Sequence, residues 1–331
     1  MSRLLIVGVL LLLFDLPGAC AATSQSHISG VAISPDGKLI AVAFRTDSTS
    51  FIYKIDVDTG IAIRLTNAKS GEESSPTFSA DGNRIAFTYR PAGESHSGIV
   101  LANLDGSAIK NWSPPGVTAF YPVLSPDNKT IVFAQSAFFG RYSPIAQAHY
   151  HAWSFYASNL ANTNLRELTT EIFYAATAPS VSPDGKNMAV MTIGIDTPQQ
   201  IAIYSLDRPG KPLFSLRPHV PREADRKEPI VDYPNYMPDG KSILFMAASN
   251  GRGLWKGFDY DVYRVDIGTG ELEQLTKGNG YASDLKVSAD GKTAVFLKWR
   301  SDWRGTPIKN ELYLLDVQSR RLTALKVNGL N

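Results

Sequence analysis

Cysteine is almost missing from this chain. Of 331 residues one is a cysteine, Cys20, so intrachain disulfides and thiolate metal clusters are excluded. An excess of one charge is missing too. Thirty-three Lys and Arg face 31 Asp and Glu, and the densest stretch, Arg222 to Glu228, mixes both signs. That balance argues against a nucleic-acid track. Long apolar runs are scarce: Leu4 to Phe14 is too short to cross a bilayer as a helix, and no later segment is apolar enough. There is no G-x-S-x-G elbow, which argues against a serine hydrolase.

The first residues stand apart. Arg3, the apolar run, the break at Pro17-Gly18 and the small residues of Ala19-Cys20-Ala21 read as an export signal over residues 1–21. Residues 22–331 are then one mature domain, expected in the periplasm or secreted. Cys20 also stands where a bacterial lipoprotein carries its acylated cysteine, although Pro17 occupies the usual leucine position. Lipid anchoring is the alternative location.

What the chain does have is a repeat. Ser34-Pro35-Asp36-Gly37-Lys38 recurs as Ser79-Ala80-Asp81-Gly82-Asn83, Ser125-Pro126-Asp127-Asn128-Lys129, Ser182-Pro183-Asp184-Gly185-Lys186, Met237-Pro238-Asp239-Gly240-Lys241 and Ser288-Ala289-Asp290-Gly291-Lys292. The aspartates are 45, 46, 57, 55 and 51 residues apart. Asp binds its own backbone in such a turn and Gly accepts positive φ, so each copy is a hairpin. A period near fifty with one hairpin at a fixed point is the pattern of a propeller.

The last repeat shows the grammar: strands over 284–288, 293–298, 311–317 and 322–327, alternating in polarity. Third strands recur over 51–56, 98–105, 201–207 and 261–266, and in blade three over 153–160. Blades close on Leu65-Thr66, Leu168-Thr169, Leu275-Thr276 and Leu322-Thr323. The fold expected is all-β, a six-bladed propeller of four-stranded antiparallel blades. These repeats resemble the TolB-type propellers, which also precede the hydrolase domain of prolyl oligopeptidases. The resemblance covers residues 28–327 and the propeller part alone. It implies a fold and no particular activity.

In such a blade, one face of the ring carries the tight turns and the other the strand two-to-three and between-blade connections. The long loops expected here, over 90–97, 137–152, 250–260, 300–310 and 217–231, all fall on the second face. Long loops on a rigid scaffold carry function. They are rich in aromatics and arginine, which suit peptide capture, sugar stacking or a protein partner. The ligand-binding candidates are Arg141, Tyr142, Tyr150, Trp153, Arg222, Asp232, Tyr233, Trp255, Tyr281, Trp299 and Trp303. Glu73, Phe120, Tyr121, Asp232, Tyr233 and Tyr281 are expected along the central channel.

His149 and His151 are two apart and share a face if their segment is extended, as a pair of metal ligands would. His96 or His219 would complete such a site. Oligogalacturonate-type lyases hold a histidine-bound metal on a propeller of seven blades, where this chain shows six repeats. The expected function is therefore an exported, non-catalytic propeller that binds a protein or peptide, with no cofactor. The alternatives are a carbohydrate-active lyase or hydrolase using a divalent metal at His149 and His151, and an envelope scaffold or sensor lipoprotein. Nucleic acid is not an expected partner.

Overall fold

A computed structural model describes residues 26–330 except 48, 68–69, 115, 142–147, 178, 195–198, 219–229, 252–257, 279 and 302–306, with backbone alone at 249–251, 258, 300–301 and 307–308. The expected export signal therefore lies outside the described residues.

Each S-P-D-G copy folds as the expected hairpin. Around Asp36, Ser34 Oγ donates to the carboxylate at 2.7 Å and the Lys38 N–H donates at 3.1 Å. Leu39 N–H then donates to Ser34 Oγ at 2.8 Å, which starts the next strand. The same bonds recur around Asp127, Asp184 and Asp290. In blade five Met237 has no hydroxyl, and Asp239 turns instead to Ser242, whose Oγ donates at 2.8 Å.

These hairpins join strands into six antiparallel sheets in which the first strand is innermost. Blade one is His27–Ile33, Leu39–Arg45, Ser50–Asp56 and Ala62–Arg64. Blade two is Glu72–Phe78, Arg84–Arg90, Gly98–Asn103 and Lys110–Asn111. Blade three is Ala119–Leu124, Thr130–Gly140, His149–Asn159 and Arg166–Glu167. Blade four has a first strand in two pieces, Ala175–Ala176 and Ser180–Val181, then Asn187–Ile193, Gln200–Ser205 and Phe214–Leu216. Blade five is Val231–Tyr236, Ser242–Gly251, Phe258–Asp266 and Leu272–Gln274; blade six is Ala282–Val287, Thr293–Ser301, Pro307–Asp316 and Leu322–Ala324. Among the described residues there is no α-helix, and no helix is long and apolar enough to cross a membrane.

The core is six layers, each between two neighbouring blades. Ile40, Val42 and Phe44 pack toward Val295, Leu297 and Leu312 of blade six, while Ala41 and Ala43 of the same strand face Ile85 and Phe87 of blade two. Both faces of a sheet are buried, so second strands read as unbroken apolar runs rather than alternating ones.

The Leu-Thr signal has a physical cause. Leu65 N–H donates to Ile52 O at 2.8 Å and ends the outer ladder. Thr66 Oγ1 then accepts the Ile52 N–H at 3.0 Å, so a side chain continues the ladder for one more rung. Ser113, Thr169 and Thr276 do the same for Ile99, Phe155 and Val262. Blade six differs from the expectation. Leu325, not Leu322, donates to Leu312 O, and Leu322-Thr323 lies inside the outer strand.

Neighbouring turns also interlock. A Cβ on Gly82, Gly185 or Gly240 would meet Pro35, Pro126 or Pro183 of the preceding blade at ordinary contact distance, 3.7–3.9 Å, whereas on Gly291 it would clash with Pro238 at 2.7 Å. Where Ala80 and Ala289 replace proline, the N–H so gained is satisfied: Ala80 donates to Asn128 Oδ1 at 2.8 Å, and Ala289 to Pro35 O at 3.1 Å. Asn128 is the one copy with Asn in the glycine place.

The seam between blades six and one has no shared blade, and hydrogen bonds join its apolar layer in holding it. The Asn310 amide mimics a strand, accepting from Ile28 N–H at 3.1 Å and donating to Ile28 O at 2.6 Å. Asn328 pairs with Gly60 and Ala62 on the outer rim.

Two outcomes follow from this geometry. Gly60 has φ +69 and a Cβ there would sit 2.1 Å from Lys326 O, whereas Gly270, in the matching turn of blade five, has φ +74 and open space. Gly270→Ala should cost about 1 kcal/mol from backbone strain alone, and Gly60→Ala at least about 2 kcal/mol; paired thermal melts read the difference. Second, the serine hydroxyls hold the Asp36, Asp81, Asp127 and Asp184 carboxyls below their ordinary pKa. Their contribution is present above the unfolded pKa and lost as pH falls through the lowered folded values. Replacing these four by Asn should flatten the stability loss below about pH 4, followed by urea titration at stepped pH.

Candidate functional site

The first strands set the geometry of the channel wall. Five of them lose register at one matching point, beside Gly30, Ser75, Tyr121, Tyr233 and Asp284. Ser75, Tyr121, Tyr233 and Asp284 have φ between 50 and 61 there, a bulge that bends the strand. Pro76, Pro122, Pro179 and Pro234 stand three residues before the turn motif of blades two to five. Proline has no N–H, so it blunts the inner edge against strand pairing.

Three of the five loops expected on the mouth, over 137–152, 250–260 and 300–310, are shortened because strands run into them. Blade three reaches out as an arm: Phe138 pairs with His151, Phe139 with Tyr150 and Gly140 with His149. Residues 137–140 and 149–152 are strand. Consecutive side chains alternate across this ribbon, so Phe138 and Phe139 serve different faces.

On one face Phe139 lies 4.8 Å from Tyr150, Tyr150 4.6 Å from Phe120, and Phe120 5.2 Å from Trp153 between ring centroids. Tyr121 joins them at 6.2 Å from Trp153. Trp153 is the buried root of this wall, while Phe139 is 40% exposed at its rim. The Tyr150 hydroxyl donates to Ser95 O at 3.0 Å, and burial pushes its pKa up. On the other face His151 is buried and its ring stacks on Phe138 at 4.9 Å. The His149 ring is 3.8 Å away between centroids, so the two histidines are side by side as their spacing implies. His151 Nε2 is 3.1 Å from Gly140 O, and burial pushes its pKa down. Among the described residues no cluster of three or more His, Cys, Asp or Glu is placed to hold a metal. His96 is engaged with Thr118 at 3.0 Å, and His219 lies outside the described residues.

The remaining candidates separate by blade. Tyr281 and Trp299 meet at 6.2 Å in blade six, with His27 5.8 Å from Trp299, and Trp299 Nε1 donates to Ser283 Oγ at 3.1 Å. Asp232 is fully buried in the inner strand of blade five and accepts from the Tyr233 N–H at 2.8 Å. Arg141 is exposed at the end of the blade-three arm. Tyr142, Arg222, Trp255 and Trp303 lie outside the described residues.

Three groups were not legible beforehand. Glu73 does not open onto the channel. It sits in the seam between blades one and two, accepting from Ile52 N–H at 2.9 Å and from the Thr66 hydroxyl. Lys286, on the inner strand of blade six, is flanked by Asp284 and Asp232, and burial pushes its pKa down against their pull. Arg45 and Arg90 share the Glu72 carboxylate, one on each oxygen. Glu72 and Arg90 are cross-strand partners, so counting outward from the Asp81 turn could have paired them, but the bulge at Ser75 shifts that count.

Desolvation pushes Glu73 above its ordinary pKa. A carboxyl with a raised folded pKa lends most stability below its unfolded pKa and loses it as pH rises through the folded value. Glu73→Gln should therefore hold its stability from about pH 4 to 7, where the parent loses some. Glu73→Ala, which strips Ile52 and Thr66 of an acceptor, should cost about 1–3 kcal/mol at both ends; chemical denaturation of the three proteins tests this.

No family model matches the chain. It is 27% identical to dipeptidyl-peptidase 5 of Porphyromonas gingivalis over 82% of its own length and 44% of that protein. Its fold matches TolB of Acinetobacter baumannii with a TM-score of 0.60 at 18% identity, over 93% of this chain and 65% of that one. It matches oligogalacturonate lyase of Vibrio parahaemolyticus with a TM-score of 0.56 at 14% identity, over 93% and 79%. The chain thus spans less than half of the curated relative and just under two thirds of the TolB structure.

Proposed function

We propose that this TolB-like six-bladed propeller is an exported, non-catalytic binding module that captures a protein or peptide partner at its arm-bearing mouth. The observation that carries this reading is the aromatic wall of Phe120, Tyr150 and Phe139, rooted on buried Trp153 and exposed at its outer end. A rigid wall of this kind offers apolar contact at little entropic cost. The likeness to a dipeptidyl-peptidase over most of this chain makes peptides the first ligand class to try. The export pattern at residues 1–21 supports a periplasmic or secreted location.

Selection of a random peptide phage library on the full chain tests it. Binders should be enriched, and a Phe139→Ser, Tyr150→Ser double variant should lose at least about tenfold in affinity, a difference of about 1.4 kcal/mol. Lys186→Ala, in a turn on the opposite face, should leave binding unchanged. A library with no binders sinks the reading.

The contact between His149 and His151 favours one second reading, a metal-dependent carbohydrate lyase or hydrolase. Elemental analysis of the purified protein separates the two. A stoichiometric metal lost on replacing both histidines by Ala would replace the binding reading with the catalytic one; we expect none.

A further inference from the structure

The three-residue bridge Arg45–Glu72–Arg90 lies where blades one and two meet the mouth. Arg45 ends the second strand of blade one, and Glu72 and Arg90 face each other across blade two. All three keep part of their side chain in solvent, 31%, 26% and 21% for Arg45, Glu72 and Arg90. Each guanidinium carries five N–H donors, and one carboxylate has about four lone-pair sites to offer the two of them. Glu72 therefore orients both forks without saturating them, and the local charge stays at one positive unit. Arg90 Nη1 also donates to Glu94 O at 3.5 Å, one residue from the Ser95 carbonyl that accepts from the Tyr150 hydroxyl at 3.0 Å. Arg90 thus borders the aromatic wall, with Arg45 across Glu72 from it.

We infer that the Arg45–Arg90 pair is an anchor for a carboxylate of an acidic peptide whose neighbouring apolar side chain packs on Tyr150 and Phe139. This rests on the peptide-binding reading above and adds the chemistry of the partner. Bidentate capture by a planar, pre-oriented fork is what arginine does best. Glu72 serves as a positioning residue: held on both oxygens, it fixes the spacing of the forks. A carboxylate reaching them replaces water at donors that Glu72 cannot cover, and the neighbouring aromatic wall lowers the local dielectric.

The test uses the full chain and a labelled peptide alternating glutamate with leucine, read by fluorescence polarisation. Its partner probe has glutamine in every glutamate place, and a galacturonate oligomer serves as the carbohydrate arm. The acidic peptide should bind at least about tenfold tighter than the glutamine peptide at low salt, and the gap should shrink as salt screens it. Arg90→Gln and Arg45→Gln should each close most of that gap while the glutamine peptide is unaffected, with melting temperature confirming the fold. Glu72→Gln should blunt acidic-peptide binding less than either arginine change. Equal binding of the two peptides, or arginine-dependent binding of the galacturonate oligomer alone, overturns the inference. Equal binding with phage-selected ligands still lost in the Phe139→Ser, Tyr150→Ser variant leaves the peptide-binding reading standing. Failure of both assays removes that reading as well.

Discussion

Each blade of this molecule is buried on both faces, and everything else depends on that. A four-stranded sheet with one open face could stand in water, but Ile40 to Phe44 has no polar side to show. The six apolar layers are shared property: each takes residues from two blades. No blade owns a complete core, so stability is a sum of neighbour contacts around a ring. The seam between blades six and one is therefore as necessary as any other. Asn310 and Asn328 supply there, by hydrogen bonds, the alignment that chain continuity supplies elsewhere.

Edges are the second constraint. A blade ends at a strand of two or three residues, and its last backbone donor would face a mixed environment. The hydroxyls of Thr66, Ser113, Thr169 and Thr276 accept a third-strand N–H and carry the ladder one rung past its last backbone pair. Glu73 and Asp261 in turn accept the hydrogen bonds donated by the Thr66 and Thr276 hydroxyls. These polar devices are small, but they fix where each blade stops, and so where the connections across the mouth begin.

Much of this was readable before any coordinates. The turn motif carries its own chemistry, Ser to Asp to backbone, and a local rule of that kind survives transfer to the fold unchanged. The third strands of blades one, two and four were found within two residues, while those of blades three, five and six begin three or four residues earlier than expected. The arm of blade three was not, because His149 to Ala152 and Ala137 to Gly140 are held by pairing with each other and not by local propensity. The ion bridge was hidden for a different reason: Arg45 and Glu72 are 27 positions apart and meet only because two blades pack. Leu322-Thr323 misled as an outer-strand terminus because composition was matched without register. The aromatic wall was half visible: Tyr150 and Trp153 stood out by type, but their merger with Phe120 and Tyr121 depends on the bulge at Tyr121.

The prolines of the inner strands carry a consequence for how a chain could be recognised at all. Many peptide-binding sheets work by lending an open edge to the incoming backbone, which is then read largely without regard to sequence. Pro76, Pro122, Pro179 and Pro234 deny that option along the bore. Along those four blades a guest near the axis finds a donor missing and is hindered from becoming an extra strand, whereas blades one and six have Val31 and Leu285 in that place. Discrimination must then come from side chains meeting side chains at the rim. Such a ring can hold its axis open without inviting the self-association to which exposed strands are prone.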